Sequence, residues 1–146
     1  NDAIGAITRM RDMKVEPFLL ASTLRAVVAQ RLVRRLCPSC RQTVQADGNA
    51  ASLLGFDQGT AVFKAVGCPQ CNNTGYQGRI GVFEAVRVDE TIRRLINDGG
   101  DEAILARHAF VNQPNLSAAA RKLVRAGLTT PQEAIRISRR EDIDDA

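Results

Sequence analysis

The 146-residue chain has no tryptophan, one tyrosine and one histidine. So few aromatic rings leave little for a base-stacking surface, which counts against single-strand nucleic-acid binding. The lone histidine, His108, has no ligand-type neighbours in sequence and reads as structural, so no Ser-His-Asp or Cys-His set can be assembled. No apolar run approaches the about 18 residues of a membrane-spanning helix. No G-x-x-x-x-G-K-[ST] phosphate loop is present, and Gly99-Gly100 reads as a helix stop. The opening Asn1-Asp2-Ala3-Ile4 lacks both the basic and the apolar region of a secretory leader, so nothing points to an oxidising compartment. The formal charge of +4 and the 45% hydrophobic content are ordinary, and the length suits one domain or two small ones.

Against these absences stand four cysteines in two matched pairs, Cys37-Pro38-Ser39-Cys40 and Cys68-Pro69-Gln70-Cys71, separated by 27 residues. A C-x-x-C turn places two sulfurs on one side of a tight loop. Two such turns complete an all-sulfur tetrahedron, the shell of a closed structural zinc site. Two disulfides would suit a small secreted domain, but this chain is long enough to build a core without staples. A redox dithiol needs one exposed pair, not two matched ones. An iron–sulfur cluster uses the same ligands. Zinc on four thiolates carries a net charge of about −2. Arg34, Arg35 and Arg41 flank the first pair and are placed to offset it.

Hydrophobic spacing and cap residues divide the rest. Residues 1–13 predict a helix through Ile4 and Ile7 with Asn1 or Asp2 as cap, broken at Glu16-Pro17. Residues 17–36 predict a long helix with Leu20, Leu24, Val28 and Leu32 in one stripe, which would put the metal at a helix C-terminus. Between the cysteine pairs, Asp47 or Asn49 starts a short helix over Ala50 to Leu54 that stops near Gly55, and residues 61–66 read as a strand. Residues 72–78, Asn-Asn-Thr-Gly-Tyr-Gln-Gly, form a turn. Residues 79–88 alternate as a strand with Ile80, Val82, Glu84 and Val86 on one side. Four helices come next, opened by Asp89, Asp101, Ser117 and Thr130-Pro131, with Gly127 ending the third and Ile135 inward in the fourth. They read as one compact bundle, and the acidic run 141–146 reads as a frayed tail.

Three segments together resemble a known family. Phe18 to Cys40 (F-L-L-A-S-T-L-R-A-V-V-A-Q-R-L-V-R-R-L-C-P-S-C), Gly67 to Glu84 (G-C-P-Q-C-N-N-T-G-Y-Q-G-R-I-G-V-F-E) and Gly127 to Arg136 (G-L-T-T-P-Q-E-A-I-R) are similar to type II secretion ATPases, the general secretion pathway protein E group, relatives of type IV pilus assembly ATPases. The resemblance implies a mostly α fold with a small α/β zinc-ribbon-like subdomain. Residues 1–36 would be the last helices of a RecA-like ATPase core, 37–88 the four-cysteine subdomain with its following strand, and 89–146 a C-terminal helical bundle. It implies zinc on Cys37, Cys40, Cys68 and Cys71. It also implies a hexamer at the cytoplasmic face of the bacterial inner membrane, bound to platform proteins and driving pseudopilus assembly. Arg79, in G-Y-Q-G-R, matches a family arginine near the nucleotide or the subunit boundary; by charge alone it reads equally as a solvated strand residue. Asn1-Asp2-Ala3 resembles the residues just after the family's histidine box. The phosphate loop and Mg²⁺ ligands would then precede this sequence, so ATP and Mg²⁺ belong to the full-length protein and no ATPase activity is expected of this part alone. The other readings are a nucleic-acid-binding zinc ribbon, motivated by Arg31, Arg34, Arg35 and Arg41, a dithiol oxidoreductase, and the corresponding part of a type IV pilus ATPase.

Overall fold

The fold is described from a computed structural model, which covers the backbone of residues 2–144 and the side chains as far as Ser138. Asn1, one of the two expected caps, and residues 145–146 of the acidic run lie outside the described residues. The elements run α1 (Ala3–Asp12), α2 (Pro17–Thr23), β1 (Ala26–Leu36), β2 (Gln42–Gln45), α3 (Gly48–Leu54), β3 (Ala61–Lys64), β4 (Tyr76–Arg87), α4 (Glu90–Asn97), α5 (Glu102–Ala109), α6 (Leu116–Arg125) and α7 (Pro131–Asp144). They form two compact units, each built from two stretches: residues 1–30 with 83–115, and residues 31–82 with 116–146. No helix among the described residues is long and apolar enough to cross a membrane.

Helix starts reflect cap chemistry. The carboxylates of Asp2, Asp47, Asp89 and Asp101 each accept the backbone N–H three residues on, satisfying a donor that the first helical turn leaves orphaned. Glu16, before proline, sits in an extended conformation (ψ 126°) and separates α1 from α2. Gly55 and Gly127 close α3 and α6 at positive φ. Helix α6 begins at Leu116, one residue before the expected Ser117. Helix α7 buries Ala134 and Ile137 and leaves Ile135 half-buried, and its backbone stays helical into the acidic run as far as Asp144.

The expected helix over 17–36 is corrected. It ends at Thr23, and Leu24 is already extended (ψ 126°). The chain continues as β1, an eleven-residue strand paired with β4. Leu20, Leu24, Val28 and Leu32 match a helical spacing of four, but residues four apart also share one face of a strand. The β-branched Val27, Val28 and Val33 tip that ambiguity toward extended backbone. As a result Val28 is 63% exposed and Leu32 42% exposed, while Val33 is fully buried. The first cysteine turn is therefore reached from a strand, not from a helix C-terminus.

The four last helices fall in two different units. Helices α4 and α5 belong to the first unit, where α4 packs on α2 and α5 on α1; α6 and α7 belong to the second, where they pack on each other and α7 on α3. The first unit's core is Ile4, Ile7, Leu20, Val86, Val88, Ile92, Ile96 and Leu105. Strand β4 turns Val82, Glu84 and Val86 inward, as its alternation predicts. Glu84 is a buried carboxylate whose Oε1 accepts the Ala3 N–H at 2.8 Å, adding a negative group to the N-terminus of α1. In the second unit, β2 pairs antiparallel with β3, Gln42 opposite Lys64 and Gln45 opposite Ala61, with α3 in the connection between them.

Candidate metal centre

Both cysteine turns are tight for local reasons. In the first, the Arg41 N–H donates to the Cys37 carbonyl (3.1 Å) and the Cys37 N–H to the Gly75 carbonyl (3.0 Å), tying the turn to the loop beyond the second pair. In the second, Pro69 starts a 3₁₀ turn ending at Cys71. Asn72 and Asn73 come next in the left-handed region (φ 55° and 60°), which asparagine tolerates better than most residues. The expected turn over 72–78 is in place only for 72–75, because Tyr76, Gln77 and Gly78 already belong to β4.

The four sulfurs converge. All four Sγ atoms lie within 4.8 Å of one another. Cys37–Cys68, Cys40–Cys71 and Cys68–Cys71 are each separated by 3.8 Å. A zinc ion at about 2.3 Å from four sulfurs requires a tetrahedron edge of about 3.8 Å. None of the four is in a disulfide. Cys37 and Cys71 are buried and Cys40 and Cys68 partly so. The space at their centre suits one ion, because clusters of several irons would hold the sulfurs further apart.

Backbone donors converge on the same sulfurs. The Gly67 N–H points at Cys40 Sγ (3.3 Å), and the N–H groups of Cys68 and Gly75 point at Cys71 Sγ (3.3 and 3.2 Å). Such donors favour thiolate over thiol. Burial pushes the Cys71 thiol up, but the N–H groups of Cys68 and Gly75 outweigh it, with help from the Cys40 and Cys68 sulfurs, and bring it to about 6. Cys68 is pushed up to about 11, by burial first and by the neighbouring Cys37 and Cys71 thiols. A divalent cation held by the four sulfurs would remove that inequality, since it would favour the thiolate at each ligand.

Gly75 is required by both space and conformation. Its φ is +81°, and a Cβ there would sit 2.6 Å from the Ala65 Cβ. Gly75→Ala should therefore cost at least about 1–2 kcal/mol from the left-handed conformation alone, and more from the clash. A melting curve of the metal-loaded protein checks it; an unchanged midpoint would show that the loop relaxes freely.

Two of the three arginines beside the first turn are engaged in the fold. Arg34 is held by Glu133 and lies over the Tyr76 ring at 4.0 Å. Arg41 donates to the Gly127 carbonyl and lies over the Phe63 ring at 4.6 Å. Arg35 is exposed. Arg79 is exposed on β4, in the same unit as the cysteines. His108 Nε2 meets Asp89 Oδ2 at 3.0 Å, beside the α4 cap and outside the cysteine cluster. The feature sequence reasoning missed is Glu133, a buried carboxylate bound to β1. Its position in the first turn after Thr130-Pro131 signalled only a helix start.

Comparison with known proteins agrees with the resemblance. Residues 1–136 match the family model for type II/IV secretion system proteins. Type II secretion system protein E of Pseudomonas aeruginosa is 43% identical over 143 residues, covering 97% of this chain and 28% of that protein. The protein of the same name from Klebsiella pneumoniae is 44% identical over 138 residues, 94% of this chain and 28% of its own length. Type II secretion system ATPase E of Vibrio cholerae is 39% identical over 143 residues, again 28% of its length. The chain thus spans little more than a quarter of the relatives it matches, and it belongs to the type II/IV secretion system protein family.

Proposed function

We propose that this chain is the zinc-binding C-terminal part of a hexameric ATPase that powers type II protein secretion by driving pseudopilus assembly. The single observation that carries the zinc reading is the convergence of four sulfurs within 4.8 Å of one another, three of their separations being the 3.8 Å that suits one zinc ion. Cys37, Cys40, Cys68 and Cys71 hold the ion, which fastens the excursion carrying β2, α3 and β3. Zinc here supplies folding energy, since a four-thiolate shell leaves no open position for substrate. ATP and Mg²⁺ are bound by residues outside this sequence, and Arg79, exposed on β4, faces the nucleotide or a subunit boundary. The assembly works at the cytoplasmic face of the inner membrane against platform proteins. The family membership and the relative named an ATPase support this reading. The commitment of Arg34 and Arg41 to internal partners weighs against a nucleic-acid ribbon.

The test is Cys37→Ser with Cys40→Ser in the full-length protein. Metal content, hexamer assembly and secretion should fall together. Secretion that persists with no metal bound would refute the role assigned to zinc.

A further inference from the structure

Helices α2 and α4 pack on each other in the first unit, and beside them lies an open groove of about 340 Å³. Small-molecule sites begin at about 300 Å³. Phe18, Ser22, Glu90, Arg93, Arg94 and Asn97 line it. The guanidiniums of Arg93 and Arg94 have no hydrogen-bond or ion-pair partner among the described residues. Glu90 stands three and four positions before them on α4, the spacing at which helical ion pairs form, yet it pairs with neither. Two cations are thus left to the groove, and guanidinium forks match the oxygens of a phosphate. Phe18 is 69% exposed at the same groove, where its ring can stack on a flat ligand. The Ser22 hydroxyl donates to the Leu19 carbonyl at 3.2 Å, so what it has left for a ligand is acceptor capacity. An ionised Glu90 also only accepts, so both call for hydroxyl or amine donors on the ligand.

We propose that this groove binds a nucleoside monophosphate, with the phosphate on Arg93 and Arg94, the base against Phe18, and a hydroxyl or amine of the ligand donating to Glu90. Charge selects the class. A phosphate monoester carries about −1.5 to −2 near pH 7, which two guanidiniums match. A triphosphate would bring further charge and a Mg²⁺ that needs oxygen ligands, and Glu90 is the one acid in the lining. An acidic peptide would satisfy the arginines but set like charge against Glu90. The site goes beyond the reading above and does not depend on zinc.

The experiment photolabels the full-length protein with azidoadenosine monophosphate and maps the modified peptides. Label should fall on the α2 or α4 segment, at the peptide holding Phe18 or Arg94. Adenosine monophosphate should displace it roughly tenfold better than adenosine or inorganic phosphate, each of which engages only part of the site. Arg93→Gln with Arg94→Gln should weaken labelling of that peptide roughly tenfold, the effect of losing two exposed ion pairs. Arg93→Lys with Arg94→Lys should restore part of it, a recovery that a misfolded groove would not show. Phe18→Leu should bring adenosine monophosphate down to the potency of inorganic phosphate. Label only at other segments, labelling unchanged by the glutamine pair, or displacement by inorganic phosphate or a polyglutamate peptide as effective as by the nucleotide overturns the proposal. Metal content is read in the same samples: loss of this labelling with zinc retained rejects the groove site and leaves the metal reading standing.

Discussion

Stripping the metal, or replacing Cys37 and Cys40 with serine, should unfold the segment between the cysteine pairs and leave the first unit largely intact. The physical reason is that little else holds this excursion. Strands β2 and β3 have four residues each and α3 has seven. A hairpin or a helix that short is marginal in water by itself. Some apolar burial helps, through Ala50, Ala51, Leu54, Phe56 and Val62. Structural zinc in small domains, by comparison, binds with about 10–16 kcal/mol of apparent free energy at pH 7, and much of that is folding energy. Four thiols that must otherwise sit within 4.8 Å of each other gain no such compensation. Amide hydrogen exchange gives the readout. The N–H groups of Gly67, Cys68 and Gly75, which point at sulfur, should lose protection on chelation, and then those of the β2–β3 ladder. Protection at Ile92 and Leu105, in the core of the first unit, should change little. Equal protection with and without metal would mean that packing alone holds the excursion. Acid should act in the same direction, because protons compete with the metal for thiolate.

Local chemistry was legible where it was decided locally. The caps at Asp47, Asp89 and Asp101 arise from a short acceptor placed before a helical pattern. The cysteine spacing led to the cluster because a C-x-x-C turn leaves its sulfurs few directions to point. The turn at Asn72-Asn73-Thr74-Gly75 came from residues that tolerate positive φ. Residues 26–36 were not legible, because a stripe at spacing four fits two periods. Strand β1 also leaves Val28 and Leu32 exposed on a face that the apolar pattern marks as buried. Strand β2 was missed because Gln42, Thr43 and Gln45 carry no apolar signal, and only its partner β3 makes it a strand. The split of the last four helices between two units depends on contacts with α1, α2 and α3, which lie more than forty residues earlier in sequence.

Glu133→Ala should be strongly destabilising although it removes no apolar core side chain and lies outside the cysteine cluster. Its side chain is 3% exposed, and it accepts from the Arg34 backbone N–H (2.7 Å), from Arg34 Nε and Nη2 (3.2 and 3.1 Å) and from Arg136 Nη2 (3.0 Å). Arg136 also donates to the Leu32 carbonyl, and Thr129 Oγ1 to the Arg34 carbonyl, so one carboxylate organises the join between β1 and the start of α7. The two guanidiniums are 56% and 44% exposed and regain water when the acid is removed, which holds the loss below that of a fully buried pair. What remains is an unpaired backbone N–H and a vacated site, a loss of about 2–3 kcal/mol. The pH dependence has a definite sign. Burial pushes the Glu133 carboxyl up, but Arg136 and the N–H groups of Arg34 outweigh it and hold it below its ordinary value of 4.5. A carboxylate depressed by folding contributes stability that is complete above its unfolded pKa and is lost as pH falls through the lower folded value. The difference in stability between the parent chain and Glu133→Gln should therefore be constant from pH 6 to 8, about neutral, and shrink below the ordinary glutamate range. Urea midpoints across that range measure it. A difference that grows toward acid would reverse the sign and show that the buried carboxyl is held in its neutral form.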